Sequence, residues 1–365
     1  MSVHSGTGTI VMVGTAHGGF IFNRQAGGTE WSMSGPSHRG SQVYHLILDP
    51  RDGQMFAAVN SIFWGPEISR SSDMGATWTE SSEEPRFKQG SGETVEAMWN
   101  IAPGCPSEPG VLYAGAAPAS LWKTTDPGDT WSEIGSLNEH PSRPEWEGGA
   151  GGLCLHTILI VPERPGRMYA GISSVGLFRT DDGGETWQLR SKGIEPAIPP
   201  RIDEHGGRCV HKAVLDSTDS EAIFQQNHMW TYRSRDAGET WDDIGDELPT
   251  RFGFQMVSHP RRAGTVYTIP LDSTEFRSAA HGCVAVWSTE DAGGSWSAHT
   301  KGLPGQDAYT SVLREAMSAD EGDPFGIYFG TTGGTLCYSA DEGESWEVLA
   351  DNLPRVLSVE ARTLG

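Results

Sequence analysis

The 365-residue chain carries 48 acidic and 26 basic residues, a formal net charge of -22, and 36% of its residues are hydrophobic. A polyanion of this kind repels nucleic acid and anionic lipid, so neither is an expected partner. The chain is long and apolar enough to bury a substantial core, and its 47 glycines and 22 prolines favour short strands and turns over long helices.

The first residues, MSVHSGTGTIVMVGTAHGG, have neither the basic start nor the long apolar run of a signal peptide. No stretch approaches the roughly 18 apolar residues of a membrane-spanning helix. We therefore expect a soluble, cytoplasmic protein with no membrane partner. The five cysteines lie far apart without a CxxC pair, which indicates neither a disulfide framework nor a zinc clip. The sequence does not identify a cofactor.

Short apolar runs separated by glycine, proline and aspartate recur along the chain. One set comprises YHLILDP (44–50), QMFAAVN (54–60), EISRS (67–71) and TWTE (77–80). The same order returns as HTILIVP (156–162), RMYAGIS (167–173), GLFRT (176–180) and TWQLR (186–190). Four brief strands with such punctuation predict a four-stranded antiparallel sheet. A sheet of this kind cannot bury both of its faces alone, so copies have to stack on one another.

The most regular feature is an eight-residue motif that ends in tryptophan. It occurs as SSDMGATW (71–78), TTDPGDTW (124–131), TDDGGETW (180–187), SRDAGETW (234–241), TEDAGGSW (289–296) and SADEGESW (339–346). We interpret FNRQAGGTEW (22–31) as a seventh, degenerate copy that has lost its aspartate. At a tight turn the aspartate can accept backbone N–H bonds, the glycine can adopt positive φ and the tryptophan can wedge between sheets. The motif therefore predicts structure rather than catalysis.

The repeat predicts an all-β fold, a seven-bladed β-propeller of four-stranded antiparallel blades. The first unit begins at its second strand, TIVMVGT (9–15), and the C-terminus supplies a spare strand, RVLSVEA (355–361). We expect this tail to join the first blade and to close the ring, which removes open sheet edges. The predicted domain is a single propeller over 1–365, with a first blade made of 1–35 and 355–365.

The motif resembles the Asp-box, or BNR repeat, of sialidases, xyloglucan-active glycosidases, sortilin-type receptors and a photosystem II assembly factor. The resemblance covers nearly the whole chain and implies a propeller whose boxes lie at the periphery, away from the ligand. It implies a sialidase-like, glycosyl hydrolase type of protein. The arginine triad and early arginine segment of true sialidases are not matched, since the nearest string, PPRID (199–203), lies mid-chain. No catalytic residue is therefore carried over.

Three long connections, 81–99, 136–156 and 191–211, are expected on one face of the propeller, at the mouth of its channel. Loops of this length in a compact domain are commonly functional. Polar residues cluster where these loops enter the next strands and in neighbouring hairpins. The candidates for catalysis are Glu96, Glu147, His156 and His211. The candidates for binding a small-molecule or carbohydrate ligand are His17, His45, Trp146, Arg208, His228 and Arg314.

Three functions remain open. A glycoside hydrolase-like enzyme needs two carboxylates about 5–10 Å apart, and the candidates are Glu96, Glu147, Asp203, Glu204 and Glu315. A non-catalytic propeller would bind a ligand or a protein partner on the same face. A metal site assembled across blades would use His45, His156, His211 or His228, although no HxH or HExxH spacing occurs. Each histidine could instead cap a strand end, Trp146 could pack internally, and Arg314 could pair locally with Glu315.

Overall fold

The fold follows from short apolar segments that pair edge to edge in chain order. The computed structural model describes residues 8–197 and 207–364. The first fifteen strands are β1 (Gly8–Thr15), β2 (Gly18–Arg24), β3 (Trp31–Ser37), β4 (Gln42–Leu48), β5 (Met55–Ser61), β6 (Gly65–Ser71), β7 (Thr79–Glu80), β8 (Ala97–Pro103), β9 (Leu112–Ala117), β10 (Ser120–Thr124), β11 (Ser132–Glu133), β12 (Leu155–Ile160), β13 (Met168–Ile172), β14 (Gly176–Thr180) and β15 (Gln188–Leu189).

The later strands repeat the same succession. They are β16 (Val210–Leu215), β17 (Ile223–Asn227), β18 (Thr231–Ser234), β19 (Asp242–Asp243), β20 (Phe252–Ser258), β21 (Val266–Leu271), β22 (Val286–Thr289), β23 (Ser297–His299), β24 (Val312–Ala319), β25 (Ile327–Thr331), β26 (Leu336–Ser339), β27 (Glu347–Ala350) and β28 (Val356–Leu364). Helix within the described residues is confined to α1 (Gly135–Asn138) and the 3-10 turns Arg143–Glu145 and Ala280–Gly282. None of these helices is long and apolar enough to cross a membrane.

The strands form five four-stranded sheets, namely β4–β7, β8–β11, β12–β15, β16–β19 and β20–β23. A sixth sheet has eight strands in the order β27-β26-β25-β24-β28-β1-β2-β3. The predicted all-β class and the four-stranded antiparallel sheets, the building blocks of a β-propeller, are confirmed. The predicted pairing of the C-terminal segment is also observed, since β28 runs antiparallel to β1 from Gly8↔Leu364 to Thr15↔Val356.

The chain groups into two compact units. One holds the described residues of Met1–Leu46, Asp216–Thr218 and Ile244–Gly365, and the other holds those of Ile47–Leu215 and Asp219–Asp243. The core of the first is built around fully buried aromatic side chains, which include Phe325, Tyr328 and Phe329. The second has several apolar clusters, with Trp122, Phe178 and Tyr232 among their buried members.

Close contact between sheets requires glycine at a few positions. In the second unit, a Cβ on Gly115 of β9 would lie 2.4 Å from the carbonyl oxygen of Leu155 in β12. Such a separation is far below van der Waals contact, so any side chain at this position would force the two sheets apart. The glycine in the strand YAGAA therefore sets the spacing between neighbouring sheets.

The Asp-box turns contain a shared set of hydrogen bonds. In the first box, the Ser71 hydroxyl donates to Asp73 Oδ1 at 2.7 Å, and the Thr77 backbone N–H donates to the same oxygen at 2.8 Å. The Thr77 hydroxyl donates to Asp73 Oδ2 at 2.6 Å. The same three bonds recur around Asp126, Asp182, Asp236, Asp291 and Asp341. Each aspartate thus closes its own turn.

The box turns contain a second residue with positive φ, in addition to the glycine that the sequence predicted. Gly75 has the expected positive φ, 82°, but the residue before it, Met74, also has a positive φ of 58°. Alanine or glutamate occupies this left-handed position in three other boxes, with φ of 56–60° at Ala237, Ala292 and Glu342. Left-handed backbone is costly for residues with a Cβ. The aspartate hydrogen bonds must offset that cost.

Removing a box tryptophan should destabilise its unit. Trp346 is only 3% exposed and its ring lies 5.1 Å from that of Phe329. We expect Trp346→Ala to reduce the free energy of unfolding by about 3–5 kcal/mol, measured by urea denaturation. The exposed Trp64 provides the control, because Trp64→Ala should change stability by no more than about 0.5 kcal/mol. Equal losses in the two variants would contradict this role for the box tryptophan.

The boxes should also make stability sensitive to acid. Hydrogen bonds from Thr77 and Ser71 lower the pKa of Asp73 to about 2, and those from Thr186 and Thr180 lower the pKa of Asp182 to about 2. A lowered pKa adds stability that is complete above the unfolded value near 3.8 and is lost as the pH falls towards 2.

We therefore expect Asp182→Asn to lower the melting temperature at pH 7 and to flatten its decline between about pH 4 and pH 2. Glu185→Gln, a change at an exposed acid of the same box, is the matched control and should leave the decline unchanged. The explanation fails if the two variants show the same acid dependence.

Candidate functional site

Irregular pairing marks the first strands of three consecutive sheets in the second unit. The register shifts between Met98 and Asn100 in β8, between Leu155 and Thr157 in β12, and between Val210 and Lys212 in β16. The intervening residues are Trp99, His156 and His211. Such β-bulges turn a side chain away from the regular alternation and are common beside active sites. The two histidines that the sequence singled out at strand starts are therefore presented by bulges.

His156 is buried and hydrogen-bonded on both sides of its ring. Its Nε2 lies 3.0 Å from the carbonyl oxygen of Val210, and its Nδ1 lies 3.0 Å from the hydroxyl of Thr157. Since a carbonyl only accepts, Nε2 must carry a proton, and Nδ1 shares a hydrogen bond with the threonine hydroxyl. This arrangement ties β12 to β16 and leaves neither nitrogen available as a base.

His211 and His228 lie together with Cys209. The Nε2 of His211 is 3.2 Å from the Nδ1 of His228, and the rings meet edge to face. The cysteine sulfur and one nitrogen of each ring all lie within 4.8 Å of one another. Arg208, beside this group in sequence, donates from Nε to the carbonyl of Ile194 at 3.3 Å. The described residues thus bring together two predicted histidines and a cysteine that the sequence analysis did not single out.

The candidates in the first unit are placed as follows. The buried His45 has its Nε2 3.3 Å from Glu360 Oε1. His17 is exposed in the turn between β1 and β2, where its backbone N–H donates to Thr15 Oγ1 at 3.2 Å. The guanidinium of Arg314 stacks over Phe254 at 5.0 Å from the ring centroid, and Glu315 is buried beside it in β24.

The remaining candidates lie in the long connections. Glu96 and Glu147 are exposed, and the backbone N–H of Glu96 donates to Ala117 at 2.7 Å. Trp146 is buried, packs on Phe178 and donates from Nε1 to Ser142 Oγ at 2.9 Å, so the structure places its ring in the core. The carboxylates Asp203 and Glu204 lie outside the described residues.

A groove of about 500 Å³ lies along the first of the predicted long connections. Its lining comprises Trp64, Pro66 and the segment 84–95. The tip of the β5–β6 hairpin contributes three consecutive exposed apolar side chains, Ile62, Phe63 and Trp64, and the last is 88% exposed. The Ser61 hydroxyl accepts from the backbone N–H groups of Phe63 and Trp64 at 3.2 Å, which holds this tip in a fixed turn.

Glu84 forms part of the wall of this groove. Its Oε2 accepts from the backbone N–H of Ile68 at 2.9 Å, and its Oε1 is buried without a hydrogen-bond partner among the described residues. Burial, followed by the charges of Glu67 and Glu80, raises the pKa of Glu84 to about 8. The side chain is therefore protonated at neutral pH, and the wall that it forms is uncharged there.

Sequence reasoning identified the loop that contains Glu84 but not this residue. The sequence around Glu84 does not distinguish it from Glu83, Glu93 or Glu96. Its burial depends on a hydrogen bond to Ile68 in β6, which is distant in sequence. Cys209 was also overlooked, although the spacing Cys209-x-His211 is a signal that places two metal-ligating residue types two apart on a strand.

Comparison with known proteins agrees with this architecture. The BNR/Asp-box repeat model matches residues 178–189, which include the third box. A xyloglucanase from Hypocrea jecorina is 27% identical over 288 residues, a match that covers 70% of this chain and 33% of that protein. The chain spans about a third or less of the length of the curated relatives it matches.

Two solved structures show the same fold. An ancestral GH74 enzyme superposes with a TM-score of 0.55 at 15% identity, which covers 88% of this chain and 38% of that one. YCF48 bound to D1 peptide gives a TM-score of 0.51 at 14% identity, which covers 84% and 81% of the two chains. The chain therefore has a β-propeller fold with BNR/Asp-box repeats, like these proteins.

The protonated state of Glu84 predicts a distinctive pH dependence. A carboxyl with a raised pKa adds stability that is complete below its unfolded value near 4.5 and is lost as the pH rises towards about 8. The neutral variant Glu84→Gln should therefore match the parent at pH 4.5 and be more stable at pH 8.5, by at least about 1 kcal/mol in urea denaturation.

Glu96→Gln serves as the control, since this exposed glutamate belongs to the same connection. The stability of this variant relative to the parent should be the same at pH 4.5 and at pH 8.5. A Glu84→Gln variant whose stability relative to the parent is the same at both would show that Glu84 is ionised in the folded protein.

Proposed function

We propose that the protein is a seven-bladed propeller that binds a carbohydrate chain in the groove beside Trp64. The blade count rests on the eight-stranded sheet, in which the ladder between β24 and β28 is a single parallel pair, Glu315↔Ser358. On either side of that pair the strands form antiparallel sets of four, β24–β27 and β28 with β1–β3. With the five separate sheets these give the seven blades of the proposal.

The observation that carries the carbohydrate proposal is the exposed ring of Trp64 at the edge of a groove whose wall includes the protonated Glu84. A tryptophan ring offers a large flat apolar face, and burial of such a face against a ligand favours binding because it removes apolar surface from water. A sugar ring presents C–H groups to such a face while its hydroxyls reach polar groups. Arg86, Lys88 and Gln89 supply those groups along the lining.

Binding is better supported than hydrolysis in this groove. Glycoside hydrolysis uses a carboxylic acid with a raised pKa beside a second carboxylate. Glu84 has the raised pKa, and Glu67 and Glu80 are near enough to contribute to it. However, the free oxygen of Glu84 is enclosed by protein, so a glycosidic oxygen could not reach it without rearrangement of the wall.

A second candidate function is binding of a peptide. The match to YCF48 bound to D1 peptide covers most of both chains, whereas the match to the GH74 enzyme covers a minor part of that enzyme's length. The apolar tip formed by Ile62, Phe63 and Trp64 is also the kind of exposed cluster that protein partners cover.

Titration with xyloglucan oligosaccharides, the substrate class named in the similar xyloglucanases, tests the first proposal. Isothermal titration calorimetry should detect binding to the parent protein and a loss of at least about tenfold in affinity for Trp64→Ala, since one stacking residue contributes about 1.4 kcal/mol or more. Phe276→Ala changes an exposed aromatic residue outside the groove lining and should bind normally.

Affinity that is unchanged in Trp64→Ala would refute the assignment of the groove. Release of reducing sugar by the parent protein but not by Glu84→Gln would replace binding with hydrolysis. Absence of glycan binding, with capture of a peptide that depends on Trp64, would favour the second candidate.

A further inference from the structure

We propose that Cys209, His211 and His228 form a binding site for a transition-metal ion, with Zn²⁺ as the best fit. The site belongs to the β16–β17 hairpin and shares no residue with the groove of the β5–β6 hairpin. It is therefore a separate function from carbohydrate binding, and the failure of either proposal leaves the other intact.

The backbone explains why the three side chains meet. The backbone N–H of His228 donates to the carbonyl of Cys209 at 3.0 Å, so these two residues lie opposite each other across the strand pair. The next pair is Val210↔Asn227, after which the register shifts and leaves His211 as the bulged residue. The bulge directs the His211 ring towards His228 instead of along the regular alternation of β16.

The separations fit a tetrahedral ion with little movement. Zn–N bonds of about 2.0–2.1 Å place two nitrogen ligands roughly 3.3 Å apart in a tetrahedral site. The facing nitrogens of His211 and His228 are 3.2 Å apart already. The sulfur of Cys209 lies within 4.8 Å of them and has to approach by no more than about 1.2 Å, since a Zn–S bond of about 2.3 Å gives an S–N separation near 3.6 Å.

The donor set selects the class of metal. One thiolate and two imidazoles suit zinc and copper, whereas calcium and magnesium require oxygen ligands. Binding would exchange the thiol proton of Cys209 for a metal–sulfur bond and release that proton to solvent. Cys209 and His211 are buried while His228 is half-buried, which gives the ion a route in from the His228 side.

Neighbouring groups hold the ligands in place. The Asn227 side-chain oxygen accepts from the backbone N–H of His228 at 2.6 Å, and Asn227 itself is fully buried. The backbone N–H of Asn227 donates to the carbonyl of Trp230 at 2.8 Å and closes the hairpin that carries His228. The three ligands found among the described residues leave one position of a tetrahedral ion to be filled by another group.

The test is Co²⁺ titration of the full chain after treatment with a chelator, followed by competition with Zn²⁺. We expect one equivalent of Co²⁺ with tetrahedral visible bands and a near-ultraviolet thiolate-to-cobalt absorption, both displaced by Zn²⁺. The thiolate absorption should vanish in Cys209→Ser, and the affinity for Co²⁺ should fall at least about tenfold in His228→Gln.

Cys283→Ser, which changes a cysteine outside the cluster, is the control and should bind as the parent does. If Cys209→Ser does not fold, as judged by circular dichroism, His228→Gln decides the question because its side chain is only half-buried. Absence of tetrahedral Co²⁺ bands in the parent, or bands of equal strength and affinity in His228→Gln, would overturn the proposal and leave a hydrogen-bonded histidine pair.

Discussion

The second strand of each sheet is buried on both faces, and this requires the sheets to stack closely on one another. The strands β13 and β17 are buried along their whole length, and β5 and β9 along nearly all of theirs. A strand without a solvent face needs apolar neighbours on both sides, so no single sheet of this chain can be stable alone. The need for close stacking also explains Gly115, where the next sheet approaches too closely for any side chain.

The Asp-boxes meet a second requirement of the same architecture. Each third strand must reverse into a short outer strand, and the reversal places non-glycine residues such as Met74 in left-handed backbone. The aspartate receives hydrogen bonds from the turn that it closes, and buried box tryptophans such as Trp187 and Trp346 fill space in the core of their units. The box thus stabilises the turn between the third and fourth strands, and it recurs because every sheet needs this turn. It carries no information on ligand or reaction.

The features that recur in every sheet could be predicted from the sequence, whereas the features that occur at single positions could not. The strand pattern, the box turns and the pairing of β28 with β1 follow from periodicity and from the count of strands at each end of the chain. The bulges at His156 and His211 leave no such pattern, because a one-residue register shift depends on the partner strand. The burial of Glu84 depends on its hydrogen bond to Ile68, which is distant in sequence. The burial of Trp146 depends on a loop that folds back onto Phe178.

We propose that the boxes are structural and that a carbohydrate is recognised at the opposite end of the strands, where the β5–β6 hairpin and the 84–95 segment meet. Hydrogen–deuterium exchange with and without a bound xyloglucan oligosaccharide tests it most directly. We expect slower exchange in residues 61–65 and 84–95, with unchanged exchange in the box turn 71–78. Protection concentrated in the box turns, with none at the groove, would contradict it.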